Sequence, residues 1–159
     1  MSDAGSMAHP TLRVRRLVAE ATLPAYQTEG SAGLDIAACL PAGPVVMNPG
    51  DIVVIPTGAA VAIPVGYEGQ IRARSGLATK HGICVPNAPG TIDSDYRGEL
   101  KIGLINLGRE AFAITHGMRI CQMVIAPVAH AKVVEVDELD PTVRGTGGFG
   151  STGIHVNKA

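Results

Sequence analysis

Short apolar runs separated by turn formers recur along the chain, at Leu34–Leu40, Val45–Met47, Asp51–Ile55, Ala59–Ile63, Tyr67–Ala73, Ile83–Val85, Glu99–Asn106, Ala111–Ile114, Ile120–Ala126 and Lys132–Val136. Such a succession of short strands predicts an all-β domain. Within one of them Leu100, Ile102 and Leu104 alternate with Lys101 and Gly103, the period-two pattern of a strand with one face in a core. Residues 12–23 carry two periodicities: Val14, Leu17, Val18 and Ala21 match a helical face, whereas Leu12 and Val14 against Arg13 and Arg15 alternate as in a strand. The strand is the reading adopted. One segment looks helical, Ser75–His81, with Ser75 as N-cap, Leu77, Ala78 and Lys80 inside and Gly82 at the stop. Residues 1–11 are small and polar and predict a frayed N-terminus, in which Met7 offers a second start.

The densest chemistry lies in Asn87-Ala88-Pro89-Gly90-Thr91-Ile92-Asp93-Ser94-Asp95-Tyr96-Arg97-Gly98. Pro89-Gly90 marks one turn and Arg97-Gly98 a second, with β-branched Thr91 and Ile92 between them, so the backbone is expected to run turn, short strand, turn. Asp93 then stands at a strand end, backed by Ile92, where a carboxylate can take a proton from a bound water. Tyr96 adds a flat amphipathic face. The alternative is that Asp93 and Asp95 only cap turns through side-chain bonds to backbone.

A chain of 159 residues suits a single domain that buries its own core. With 20 Gly and 11 Pro but 46% hydrophobic residues, it is turn-rich yet far from disordered. Aromatics are only 3%, so the core must be Val, Ile, Leu and Ala, and each exposed aromatic needs a reason. A formal charge of −1 gives no broad basic face for duplex nucleic acid. A small anionic ligand is compatible: Arg74, Arg97, Arg119 and Arg144 each lie within two residues of a glycine, and the guanidinium fork suits phosphate oxygens. Arg74-Ser75-Gly76, at the start of the expected helix, would offer free backbone N–H groups to a phosphate, or is simply a connecting turn. Cys39, Cys84 and Cys121 are odd in number, far apart and without a CxxC, which indicates neither a disulfide framework nor a zinc site. No long apolar run reads as a signal peptide or spanning helix, and a cytoplasmic protein without membrane partners is expected.

After Asp140-Pro141 the composition changes to Arg144-Gly145-Thr146-Gly147-Gly148-Phe149-Gly150-Ser151-Thr152-Gly153. Three segments follow: residues 1–11, a β domain over 12–141, and a flexible glycine-rich arm over 142–159. The arm contains a GxGxxG at Gly145, Gly147 and Gly150 and nearly a Walker A over Gly145–Thr152, but no helix can follow to point its N-terminus at phosphates, and Ser151 stands at the lysine position. Phe149 in such an arm makes sense if it closes over a ligand by stacking, while Arg144, Ser151 and Thr152 contact anionic oxygens.

Five pieces, in order and spacing, resemble the motifs of the trimeric deoxyuridine triphosphatases (dUTPases): Ala32–Ile36, Arg74–Ala78, Gly90–Gly98, Gly117–Gln122 and Arg144–Gly153. The resemblance implies a distorted β jelly roll, a homotrimer with each active site shared among chains, and hydrolysis of dUTP to dUMP and pyrophosphate, which supplies dUMP for thymidylate synthesis and keeps uracil out of DNA. It further implies that Asp93 is the base for in-line water attack on the α-phosphorus and that Tyr96 packs under the sugar. Asn87, the hairpin around Thr91, Ile92 and Asp93, and Lys101 are similar to the uracil-reading wall. Arg74, Ser75, Gly76 and Gln122 resemble the phosphate binders. Asp35 resembles the acid that orients waters on a magnesium ion (Mg2+) held mainly by the triphosphate, and Arg144, Phe149, Gly150, Ser151 and Thr152 resemble the closing arm. Met118 departs from a position that is often acidic in the family and Cys121 from a frequent Ala, which touches local packing only. Chemistry at phosphorus asks for positioning, charge neutralisation and a base, and all are present.

Two other functions fit less well. The related dCTP deaminase, alone or bifunctional, needs a proton-shuttling Glu three residues before the Asn that ends the strand after the hairpin, and that position is Gly103. A non-catalytic nucleotide-binding jelly roll would have no packing reason to keep Asp93 and the glycine arm.

Overall fold

The computed structural model describes residues 9–151, 153 and 155. Its elements are β1 (Arg13–Arg16), β2 (Leu34–Ala37), β3 (Val45–Met47), β4 (Ile52–Ala62), β5 (Tyr67–Ala73), α1 (Ser75–His81), β6 (Ile83–Cys84), β7 (Gly90–Ile92), β8 (Glu99–Asn106), β9 (Phe112–Ile114) and β10 (Arg119–Pro127). All strand pairs are antiparallel, in sheets ordered β1-β4-β8-β6, β2-β10-β5-β7 and β3-β9. Neighbours in sequence repeatedly fall in different sheets, the jelly-roll way of wrapping two layers about one core. Ile36, Ile71 and Met123 of one sheet meet Ile55, Leu100, Ile102 and Leu104 of another, with Met47 and Ile114 from the small one.

The period-two pattern in β8 holds: Leu100, Ile102, Leu104 and Asn106 are buried while Lys101 is exposed. Asn106 is the buried polar exception, and it is saturated. Its Nδ2 donates to the carbonyls of Met47 and Glu110, both at 2.9 Å, and its Oδ1 accepts the Gly108 N–H at 2.9 Å, so it ties β8 to β3 and to the loop ahead of β9.

Several expectations are corrected. Asp51–Ile55 and Ala59–Ile63 form one strand, β4, whose register on β8 jumps from Pro56↔Lys101 to Ala60↔Glu99. Pro56 cannot donate to the ladder and Gly58 adopts φ +66, so the strand bulges rather than ends. The helix spans the expected residues and closes on left-handed Gly82 (φ 71), but its N-cap is Arg74, with no side-chain cap bond. Ser75 is already helical and lies one residue too late to cap. The second hairpin turn runs over Asp93–Tyr96, closed by Tyr96 N–H to the Asp93 carbonyl at 3.2 Å, because Asp93-Ser94-Asp95 outcompetes Arg97-Gly98 as turn former. Residues 12–23 contribute only the four-residue β1. Lys132–Val136 forms no strand: Val133, Val134 and Val136 are exposed and find no partner among the described residues.

The chain divides into two compact units, one through Ala129 and one from His130. In the second, the described residues form turns only: Arg144 Nε donates to the Gly147 carbonyl at 2.8 Å, and Ser151 N–H to the Gly148 carbonyl at 3.0 Å. Thr152 lies outside the described residues, as do 1–8 of the expected N-terminal tail.

Asn106→Leu should destabilise the protein by about 2–4 kcal/mol although it adds apolar volume, because two carbonyls and one N–H lose a buried partner. The midpoint of urea unfolding reads this directly, and an unchanged midpoint would refute it.

Candidate active site

β7 is three residues long and stands at the edge of its sheet, bonded to β5 on one side only. Asp93 follows it directly, and Arg97 clamps the turn by donating through Nη1 to the carbonyls of Ser94 (2.7 Å) and Tyr96 (2.8 Å). Asn87 packs against Gly90, where a Cβ would meet Asn87 Nδ2 at 3.3 Å. The Tyr96 hydroxyl donates to the Glu99 carbonyl at 3.0 Å. Its ring crosses Gly98 so closely that a Cβ there would collide with the hydroxyl. Together Thr91, Ile92, Asp93, Tyr96, Glu99, Leu100 and Lys101 line a cleft of about 170 Å³. Five of the residues predicted from sequence, Thr91, Ile92, Asp93, Tyr96 and Lys101, thus share one depression.

A second cluster forms where β2, β5 and β10 lie side by side. Asp35 on β2 pairs in register with Gln122 on β10. Its Oδ1 is 3.3 Å from Arg74 Nε and its Oδ2 is 2.8 Å from Arg119 Nη1, while Arg74 Nη1 donates to the Arg119 carbonyl at 2.9 Å. Two guanidinium groups around one carboxylate leave a formal charge of +2 − 1 = +1, suited to an anion. Gln122 Nε2 donates to the Ala73 carbonyl at 3.0 Å. Its Oε1 lies over Gly33, where a Cβ would sit only 2.7 Å away. Beneath Asp35, burial above all, and then the Asp35 charge, push the Cys121 thiol up to about 12, so it stays protonated and takes no part as a nucleophile. Among the described residues no three His, Cys, Asp or Glu side chains converge as a metal cage. Asp35, with both oxygens on arginines, keeps lone pairs for a water on a metal ion and fits an indirect rather than a direct ligand.

The two clusters do not meet within one chain. In the β5–β7 ladder Ile71 opposes Gly90 and Gly69 opposes Ile92. Continuing that register, Arg74 leaves the ladder at the Asn87 end and Asp93 at the Glu68 end. Six residues of strand at ~3.3 Å each separate them by about 20 Å.

A dUTPase family model matches residues 19–153. The chain belongs to the dUTPase family. Deoxyuridine 5'-triphosphate nucleotidohydrolase of Desulfotalea psychrophila is 64% identical over 133 residues, covering 84% of this chain and 88% of that relative. The protein of the same name from Syntrophotalea carbinolica is 57% identical over 144 residues, 91% of this chain and 97% of its own. Among solved structures, the dUTPase of Staphylococcus bacteriophage 80alpha with dUpNHpp superposes with a TM-score of 0.82 at 31% identity, covering 91% of this chain and 99% of that one. A dUTPase from phage phi11 of S. aureus, described with a structural Mg(II) ion, gives 0.74 at 29% identity, covering 82% and 99%.

All five dUTPase motifs lie inside the span that the family model matches, and the first four map onto the two clusters just described. What sequence reading missed is Arg119 as the second partner of Asp35. Its place in Gly117–Gln122 was visible, but nothing local says that residues 84 apart in sequence form an ion pair. Phe149 is fully exposed.

Cys121 should resist alkylation in the folded protein, since a thiol near 12 is about one part in ten thousand thiolate at pH 8 and is also buried. Iodoacetamide followed by peptide mass spectrometry should label Cys84 first and Cys121 only in urea. Rapid native labelling of Cys121 would contradict the burial.

Proposed function

We propose that the chain hydrolyses dUTP to dUMP and pyrophosphate by water attack on the α-phosphorus, with Asp93 as general base. The observation that carries this is the cleft at the end of an edge strand, in which the Asp93 carboxylate, the Tyr96 ring and Thr91–Ile92 meet. An unpaired strand edge offers N–H and C=O groups to a ligand that can match them, as the edge of a uracil ring can. Asn87, Thr91, Ile92 and Lys101 form that wall. Tyr96 underlies the sugar and leaves no room for a 2′-hydroxyl. Asp93 takes the proton from water as it attacks in line. Relatives named deoxyuridine 5'-triphosphate nucleotidohydrolase, and a phage dUTPase carrying dUpNHpp, support dUTP as the substrate.

Arg74, Ser75, Gly76 and Gln122 bind the α- and β-phosphates beside Arg119. Magnesium, when bound with the nucleotide, supplies charge neutralisation at the phosphate oxygens. Asp35 orients water toward that ion. Arg144, Phe149, Gly150, Ser151 and Thr152 close over the base and the γ-phosphate. Free thiols at Cys39, Cys84 and Cys121 support a reducing, cytoplasmic setting.

A base and an arginine that serve the same α-phosphate must lie within a few ångströms, whereas the β5–β7 register separates them by about 20 Å. This supports sites that draw them from different copies, which we assign to a homotrimer on the resemblance to the trimeric dUTPases. Ile52 and Val54, 62% and 63% exposed on β4, support a surface that another chain covers.

Asp93→Asn should cut dUTP turnover by roughly 10²–10⁴-fold while nucleotide binding and assembly persist. The measurement is pyrophosphate release with dUTP beside UTP, dTTP and dCTP; turnover within a few-fold of wild type would remove Asp93 from the role, and ammonia from dCTP would favour a deaminase.

Sharing is tested by complementation. Asp93→Asn and Arg74→Ala should each be nearly inactive alone. Refolded together, mixed trimers contain sites with one intact Asp93 and one intact Arg74, so activity should rise well above the sum of the parents. Mixed oligomers, seen by native mass spectrometry, that gain nothing would mean base and cradle come from the same chain.

A further inference from the structure

The rim of the Asp93 cleft contains a carboxylate that plays no part in the reaction described above. Glu99 opens β8, opposite the bulge of β4. The buried Gly58 N–H, which the broken register leaves without a ladder partner, donates to Glu99 Oε1 at 2.9 Å. Gly58 has little freedom to turn elsewhere: it is at φ +66, and even a Cβ would meet Val18 Cγ2 at 2.7 Å and Ala21 Cβ at 2.8 Å. One residue earlier, Thr57 Oγ1 donates to the Leu100 carbonyl at 2.7 Å, so the bulge is stitched to the first two residues of β8. The carbonyl of this same Glu99 accepts the Tyr96 hydroxyl at 3.0 Å.

We propose that Glu99 is a positioning residue for sugar selectivity: anchored by its side chain to the β4 bulge, it holds the carbonyl that fixes the Tyr96 hydroxyl. The chain of contacts runs from the Gly58 N–H through the Glu99 carboxylate and backbone to the phenol that underlies the sugar. Glu99 Oε2 also lies 3.9 Å from Lys101 Nζ, but that ammonium is 59% exposed and the pair is long, so solvent screens it. Without the carboxylate the Gly58 N–H is a buried orphan, and the start of β8 must shift to reach water or another acceptor. The Tyr96 ring would then lose its fixed tilt over the 2′ carbon, and UTP would gain more than dUTP loses.

The proposal rests on the reading of Tyr96 as the sugar-facing residue, and the experiment separates the two. The ratio of kcat/KM for dUTP over UTP is measured for the full chain carrying Glu99→Ala, Glu99→Gln, Tyr96→Phe, Tyr96→Ala, and Glu99→Ala combined with Tyr96→Phe. Glu99→Ala should lower the ratio by roughly five- to tenfold, the scale of one hydrogen bond. Glu99→Gln, which keeps an oxygen for the Gly58 N–H but loses the charge facing Lys101, should hold the ratio within about twofold on the same scale. In the Tyr96→Phe background Glu99→Ala should lower it no further, because the hydroxyl through which Glu99 acts is gone. An equal loss toward both nucleotides in Glu99→Ala, or an undiminished effect in the Tyr96→Phe background, overturns the proposal and leaves Tyr96 in place. A ratio unchanged by Tyr96→Ala overturns the sugar reading and the proposal with it. Should Glu99→Ala fail to fold, Glu99→Asp, one methylene too short for Gly58, replaces it with the same expected loss.

Discussion

The antiparallel register between Tyr67–Ala73 and Gly90–Ile92 is the constraint from which the organisation of the site follows. Pairing Ile71 with Gly90 sends the two functional ends of these strands in opposite directions, Arg74 one way and Asp93 the other. A one-residue slip would turn Thr91 and Ile92 over and empty the cleft wall, so the core and the site depend on the same ladder. It also leaves β7 as an edge. Edges are usually blunted in folded proteins, and an edge this short, ended at once by a turn, avoids indiscriminate strand pairing while leaving backbone groups for a ligand.

Electrostatics divides the work between the two clusters. Around Asp35, two arginines outnumber one carboxylate, and the carboxylate is the better buried member, with its side chain 13% exposed. Asp35 holds Arg74 at the end of β5 and Arg119 at the start of β10, so strand pairing and charge placement reinforce each other. At the hairpin the balance is reversed: Asp93 and Asp95 are exposed, and Arg97 spends its guanidinium on backbone carbonyls. A carboxylate open to water and a cluster with surplus cations thus sit at separate ends of the sheet.

Much was legible in the sequence because it depends on local pattern. The all-β class, the bounds of Tyr67–Ala73 and Glu99–Asn106, the extent of the short helix and the short strand after Pro89-Gly90 follow from periodicity, turn formers and residue type, and the family from five motifs in order. Local pattern also misled. The apolar run in Lys132–Val136 promises a strand, but a strand exists only where a partner offers its edge, and the ambiguous stretch before Leu23 yields just Arg13–Arg16.

Tertiary structure alone decided what depends on residues distant in sequence. The fusion of two predicted strands into β4, with a bulge at Thr57 and Gly58 answered by Leu100 and Glu99 from across the sheet, is invisible in a run of apolar residues, since a broken register is a property of two strands. The joint hold of Arg74 and Arg119 on Asp35, the passage of Gln122 over Gly33, and the roughly 20 Å between Asp93 and Arg74 come likewise from pairing. The sequence by itself determined which chemical groups this protein carries, because side-chain chemistry and turn propensity are local. Their distances, and hence which of them one chain can bring together, had to wait for the register of its sheets.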